Sequence, residues 1–196
     1  MEVYRGNKIK KLIGKTNNIK VLDIGCGQNN LFFKFKNYTG IDVRDYKGIK
    51  NIIHLDLLKS TKLPFKSNSF DLVMATEFLE HITRPDLLSK EINRVTKKKG
   101  TIIISLPNEQ AYGSRFGFLF GMVLNNGFNL YSHKYLFDYF KAKEFVNKYF
   151  KVKKTDVAMM GIGSEYVPTV VRDFLARAWP QMFAKSVIFK CSKKKV

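Results

Sequence analysis

The chain has 196 residues, 45% of them apolar, and a formal charge of +19. That length and apolar content suit one folded domain whose core buries about 70% of the surface of its unfolded chain. Two widely separated cysteines, Cys26 and Cys191, exclude a disulfide-stapled scaffold, and with no export signal ahead of them a reduced, cytoplasmic protein is expected.

The charge comes mainly from lysine, at Lys8, Lys10, Lys11, Lys15 and Lys20, at Lys97 to Lys99, through Lys141 to Lys154, and at Lys193 to Lys195. Such a field attracts phosphates, nucleic acid or anionic lipid heads. The lysines are spread along the chain with few arginines or paired aromatics, so a solvated lysine-rich surface is the preferred reading. RNA and an anionic membrane stand as the alternatives.

In chain order, residues 3–14 read as a short amphipathic helix and Val21 to Ile24 as a buried strand. LFFKFK at 31–36 follows a glycine turn and reads as a short helix. Strands follow at 38–43, 51–57 and 69–75. Pro85 opens a helix to about Lys98, with Leu87, Leu88, Ile92 and Val95 inward and Gly100 as its stop. TIIISL at 101–106 is a further strand, 134–148 a helix, 150–158 and 186–192 strands, and 170–183 a helix between them. No linker or internal repeat divides residues 1–196, so a single domain is expected.

Strands alternating with helices predict a mostly parallel seven-stranded sheet with helices on both faces. The last two strands suit an antiparallel addition at one edge. Ligands of such sheets bind at the carboxyl ends of the strands. The polar punctuation lies at those ends: Asp23-Ile24-Gly25-Cys26-Gly27, Asp42, Asp56, Glu77 and Pro107-Asn108.

The turn VLDIGCG is weak evidence by itself, because a dinucleotide fingerprint would carry a third glycine. Asp42, fifteen positions past Gly27, strengthens it: a carboxylate at a second strand tip can accept from both hydroxyls of a ribose. Asp56 and Leu57, at the third strand tip, could meet an adenine amino group and an adenine face.

VLDIGCG, YTGID, LDLLKSTKLPF, SFDLVMATEFLEH and GTIIISLPN, in this order over about residues 20–108, resemble the class I S-adenosylmethionine-dependent methyltransferases. The similarity is greatest to the branch of quinone-biosynthesis and small-molecule enzymes. The resemblance implies a Rossmann-like class I methyltransferase fold with S-adenosylmethionine as cofactor. Asp23, Gly25 and Gly27 would cradle its methionine part, Asp42 the ribose, and Asp56 and Leu57 the adenine; Thr76 and Glu77 would face the methyl group. Two departures stand out. Asn29 replaces the family's usual third glycine, though asparagine tolerates left-handed backbone better than most residues. The helix between the third and fourth strands is also reduced to a loop.

Glu77, Glu80 and His81 are spaced i, i+3, i+4, so on a helix they share a face. With His133 they could hold a divalent cation (Mg, Mn or Zn) as metal ligands. The set resembles the Glu-x-x-Glu-His plus distal His arrangement of small-RNA 2′-O-methyltransferases and the site proposed in quinone O-methyltransferases. The alternative is that the acids support the local turn and the histidine packs, as in metal-free members. Without a metal, His81 or His133 could act as a catalytic general base.

The segment 107–133 is aromatic and glycine-rich, and too long for an idle loop. It reads as a substrate lid whose Phe116, Phe118, Phe120 and Met122 would suit an apolar acceptor, or equally as a core-packed helix or dimer contact. FGFLFGMVL at 116–124 is shorter than the ~20 residues of a membrane span. VVRDFLARAWPQMF at 170–183 is an amphipathic helix that packs on the core or docks on an anionic membrane.

The reading is a methyltransferase acting on an oxygen or nitrogen of a small, lipid-like or aromatic acceptor. An RNA methyltransferase and a non-catalytic cofactor-binding module are its rivals. Oligomeric state stays open.

Overall fold

A computed structural model describes residues 2–14, 18–27, 35–46, 51–119, 133–159 and 166–194. The central apolar runs of the sequence become strands covered on both sides, while the edge strands are partly exposed. β1 (Lys20–Ile24), β2 (Asn37–Asp42), β3 (Ile52–His54), β4 (Phe70–Thr76), β5 (Thr96–Pro107), β6 (Lys151–Ala158) and β7 (Ser186–Ser192) form one seven-stranded sheet in the order β3-β2-β1-β4-β5-β7-β6. β1 to β5 pair in parallel, and β7 runs antiparallel to both β5 and the edge strand β6.

Side chains alternate between two cores, as the pleat requires. Leu22, Ile24, Val73, Ala75, Ile102, Ile104, Val187 and Phe189 face the helices α2 (Pro85–Val95) and α4 (Tyr139–Tyr149) through Leu88, Ile92, Val95, Ala142 and Val146. Val21, Leu72, Met74, Ile103 and Ile188 face Ile9 and Leu12 of α1 (Glu2–Ile13). Each of these buried side chains larger than alanine contributes about 1.5–3 kcal/mol relative to exposure.

Several boundaries differ from the sequence reading. The third strand is three residues, not 51–57, because Asp56 turns the chain by accepting from Leu58 N at 2.9 Å through Oδ1. α2 ends at Val95, where extended Thr96 donates its hydroxyl to Ile92 O at 2.6 Å. Gly100 is therefore no helix stop. It lies inside β5, where a Cβ would come within 2.7 Å of Thr96 Cγ2 and 3.1 Å of Asp71 O.

α4 begins at Tyr139, not 134, because Asp138 caps it by accepting from Lys141 N at 2.8 Å. The helix expected at 170–183 is two, α5 (Thr169–Ala178) and α6 (Pro180–Phe183), broken where Trp179 precedes Pro180. Within 107–133 the chain forms α3 (Tyr112–Leu119). Phe120 and Met122 of the expected lid, Asn29, and most of the helix expected at 31–36 lie outside the described residues. Cys26 and Cys191 are both buried and free. Among the described residues no helix is long and apolar enough to cross a membrane.

Candidate active site

β1 exits through a turn fixed to its neighbour: Gly25 N and Cys26 N both donate to Ile41 O, at 2.8 and 3.1 Å. Gly25 and Gly27 have φ of +69° and +55°, backbone that favours glycine. A Cβ on Gly25 would also lie 2.0 Å from Phe78 Cδ2, so the ring packs directly on the turn. Asp42, at the tip of β2, accepts from Gly27 N at 2.8 Å and from Arg44 N at 2.9 Å, one bond to each carboxylate oxygen. A carboxylate has about four acceptor positions, so it keeps capacity for a ligand's hydroxyls.

Gly25, Gly27, Asp42, Asp56, Leu57, Glu77, Phe78 and His81 line one cleft of about 440 Å³. That size falls in the range of ligand clefts, about 300–1,000 Å³. Six of the eight cofactor residues predicted from sequence meet there. The other two do not form its walls. Asp23 is buried and accepts from Tyr38 Oη at 3.0 Å, and Thr76 pairs with Ser105 in the β4–β5 ladder. Burial raises the Asp23 carboxyl to about 7 against the lowering effect of the Tyr38 hydroxyl, and Asp42 raises it further. Burial, with Asp23 and Asp42 adding to it, pushes the Cys26 thiol up to about 12, which removes it as a nucleophile at neutral pH.

Glu77 follows β4 with φ of +49°, an uncommon conformation for a residue with a side chain. Its amide donates to Ser105 O at 3.0 Å, and its Oε1 accepts from Ser105 Oγ and Ser186 Oγ, both at 2.8 Å. Its Oε2 lies 3.6 Å from Arg5 of α1. Strained backbone held this firmly clusters at functional sites.

The expected metal set is divided. A 3₁₀ turn, Leu79–His81, carries Glu80 and His81, and Lys134 N and Tyr135 N both donate to Glu80 O, at 2.7 and 3.1 Å. This anchorage brings His133 against His81, with ring centroids 4.6 Å apart. One ligand atom each from Glu80, His81 and His133 lies within 4.8 Å of the others. Glu77 is not in this cluster, because the serines hold its carboxylate. The three residues counted on an α-helix instead span the end of β4 and a 3₁₀ turn, so their spacing does not align them.

Glu109, which the sequence reading missed, stands behind the cluster. Its carboxylate is 3.0 Å from His133 Nδ1 and 3.2 Å from Lys185 Nζ. Burial opposes its ionisation, but these partners outweigh burial and hold its carboxyl below the usual range. Glu80 is 1% exposed, and its Oε2 has no hydrogen-bond partner among the described residues. Burial first, then Glu77 and Glu109, raise its carboxyl well above the usual range.

The family comparison agrees with this layout. Residues 22–104 match the model of a family described as a methyltransferase domain. The match covers less than half of the chain. It includes the glycine turn, Asp42, Asp56 and the Glu77–His81 segment, and leaves α3 to β7 outside the match. The likeness of fold reaches beyond that match: a S-adenosylmethionine-dependent methyltransferase of Archaeoglobus fulgidus superposes with a TM-score of 0.66 and 19% identity, over 98% of this chain and 97% of that one.

Among curated relatives, an uncharacterised protein of Methanocaldococcus jannaschii is 37% identical over 53% of this chain and 49% of its own length. The ubiquinone biosynthesis O-methyltransferase of Pelagibacter ubique is 29% identical over 55% of this chain and 50% of its own. The chain spans about half the length of the curated relatives it matches.

Proposed function

We propose that this chain transfers the sulfonium methyl of S-adenosylmethionine to an oxygen or nitrogen of a small, lipid-like or aromatic acceptor. The convergence of Gly25, Gly27, Asp42, Asp56 and Leu57 on one cleft, with His81 at its wall, carries the reading. When bound, the cofactor supplies an electrophilic methyl group. Asp42 would hold its ribose hydroxyls, Asp56 and Leu57 its adenine, and the glycine turn its amino-acid tail.

His81 lines the cleft and would take the acceptor's proton. His133 stands beside it, with the Glu109 carboxylate 3.0 Å from its Nδ1. Alignment of acceptor and methyl, with water kept out, supplies most of the rate of such a displacement.

The Glu80, His81 and His133 cluster also suits a divalent cation. It offers two imidazoles and a carboxylate with an unpartnered buried oxygen, and Glu109 is the outer carboxylate that orients a ligating histidine. A cation there would lower the pKa of an acceptor hydroxyl. The ubiquinone biosynthesis relative named above supports an oxygen acceptor.

The test uses cell extract and methyl-labelled S-adenosylmethionine. The expected result is label in the solvent-extractable fraction, lowered about a hundredfold by His81→Ala. Label recovered in RNA, or none transferred, contradicts the acceptor class.

A further inference from the structure

α5 is apolar on both sides. Its inward side packs Ala176 and Leu175 on the core and also carries polar groups: Asp173 receives Lys8 Nζ at 2.6 Å and the Tyr4 hydroxyl, and Arg172 stacks on the Tyr4 ring at 4.6 Å. Its outward side is apolar. Val170, Val171, Phe174 and Ala178, at i, i+1, i+4 and i+8, face solvent, where a surface helix ordinarily places charge. Val170 is 81% exposed and Phe174 68%, and Tyr166 (86%) and Trp179 (53%) extend the patch beyond both ends of the helix. The Asp173–Lys8 pair lies on the same side of the helix as buried Ala176, opposite this face.

The surroundings are basic. Arg177 lies on the same exposed face, and with Lys11 and Lys154 it lines an adjoining cleft of about 380 Å³. The acid in that cleft, Asp156, is engaged by Lys8 at 3.7 Å and Arg177 at 3.4 Å. The exposed face of α5 carries no acid.

We propose that the outward face of α5, with Tyr166, Trp179 and the Lys11–Lys154–Arg177 cleft, is a docking surface for an anionic lipid bilayer. An apolar strip enters the boundary between headgroups and acyl chains, aromatic residues with a polar atom settle at that boundary, and flanking cations meet the lipid phosphates. The net charge of +19 adds long-range attraction in the same sense. Asn108, just past β5, donates to Ala184 O at 2.7 Å and Gln181 O at 3.2 Å, tying α6, which follows α5 directly, to the sheet end that carries the candidate cleft. A bilayer on this face would lie beside that end of the sheet. The inference does not depend on the acceptor or the cofactor.

Trp179 is the single tryptophan of the chain, so its fluorescence reports on the docking face. The full chain is mixed with phosphatidylcholine vesicles, with or without about 30% phosphatidylglycerol. The expected result is a shift of emission to shorter wavelength and co-sedimentation with the phosphatidylglycerol vesicles alone, both weakening as salt rises. Phe174→Asp and Lys154→Glu should each lower partitioning about tenfold with an unchanged melting temperature, while Ile53→Ser, at the opposite sheet edge, changes nothing. Equal binding to both vesicle types, or to neither, overturns the proposal. So does an emission shift that follows protein concentration without lipid, which would make this face a contact between two copies.

Discussion

Gly25 is the residue on which the cleft turns most sharply. Its φ of +69° disfavours any side chain, and Phe78 occupies the place a Cβ would take. Gly25→Ala should cost about 2–4 kcal/mol in urea unfolding, combining backbone strain with overpacking. Measured against Phe78→Ala as the reference, the same change should cost only about 1 kcal/mol of strain. No cost against that reference would show that the backbone conformation is not required.

Asp23 gives a pH dependence of defined sign. Its folded pKa of about 7 lies above the usual carboxyl value. Between about pH 4 and 7 the folded state keeps a proton that the unfolded state has released. Stability from this group is therefore greatest at low pH, falls through that window by at most about 1.4 kcal/mol per pH unit, and is flat above it. Urea midpoints for wild type and Asp23→Asn should diverge as pH rises, with the variant the more stable at pH 7. Parallel curves would contradict the buried, proton-holding state. The site residues legible from sequence were those at strand tips, such as Asp42 and Asp56, because strand ends can be read locally. Glu109, Lys185, Ser186 and Arg5 were not, because topology alone brings them in; Ser186 meets Glu77 across 109 positions.

Among the elements, the parallel strands were legible because burial on both faces leaves continuous apolar runs. Helix ends were less so. Gly100 resembles a stop signal, yet the helix had already ended at Thr96, whose β-branched side chain suits β5. The break between α5 and α6 did have a local signal in Trp179-Pro180, since a residue before proline avoids helical backbone. What no local pattern discloses is the direction α5 faces. That is set by Lys8 of α1, buried against Asp173 and Asp156. Lys8→Met should cost about 3 kcal/mol, because among the described residues it leaves the buried Asp156 with Arg177 as its remaining cationic partner. Thermal melts should show the loss, with Lys8→Met/Asp173→Asn destabilised by less than the sum of the single changes. Additive losses would mean that Lys8 and Asp173 do not act as a pair.

For the molecule as a whole, a fold shared by many methyltransferases does not by itself establish methyl transfer. Acids and glycines that follow separate strands line one cleft, at the end of the sheet where open α/β proteins bind ligands. Isothermal calorimetry with S-adenosylmethionine on the full chain and on Asp42→Ala tests this most directly. The predicted result is one site per chain, weakened at least about tenfold in the variant while its circular dichroism is unchanged. No heat of binding to the wild-type chain, or equal affinity for both proteins, would contradict it.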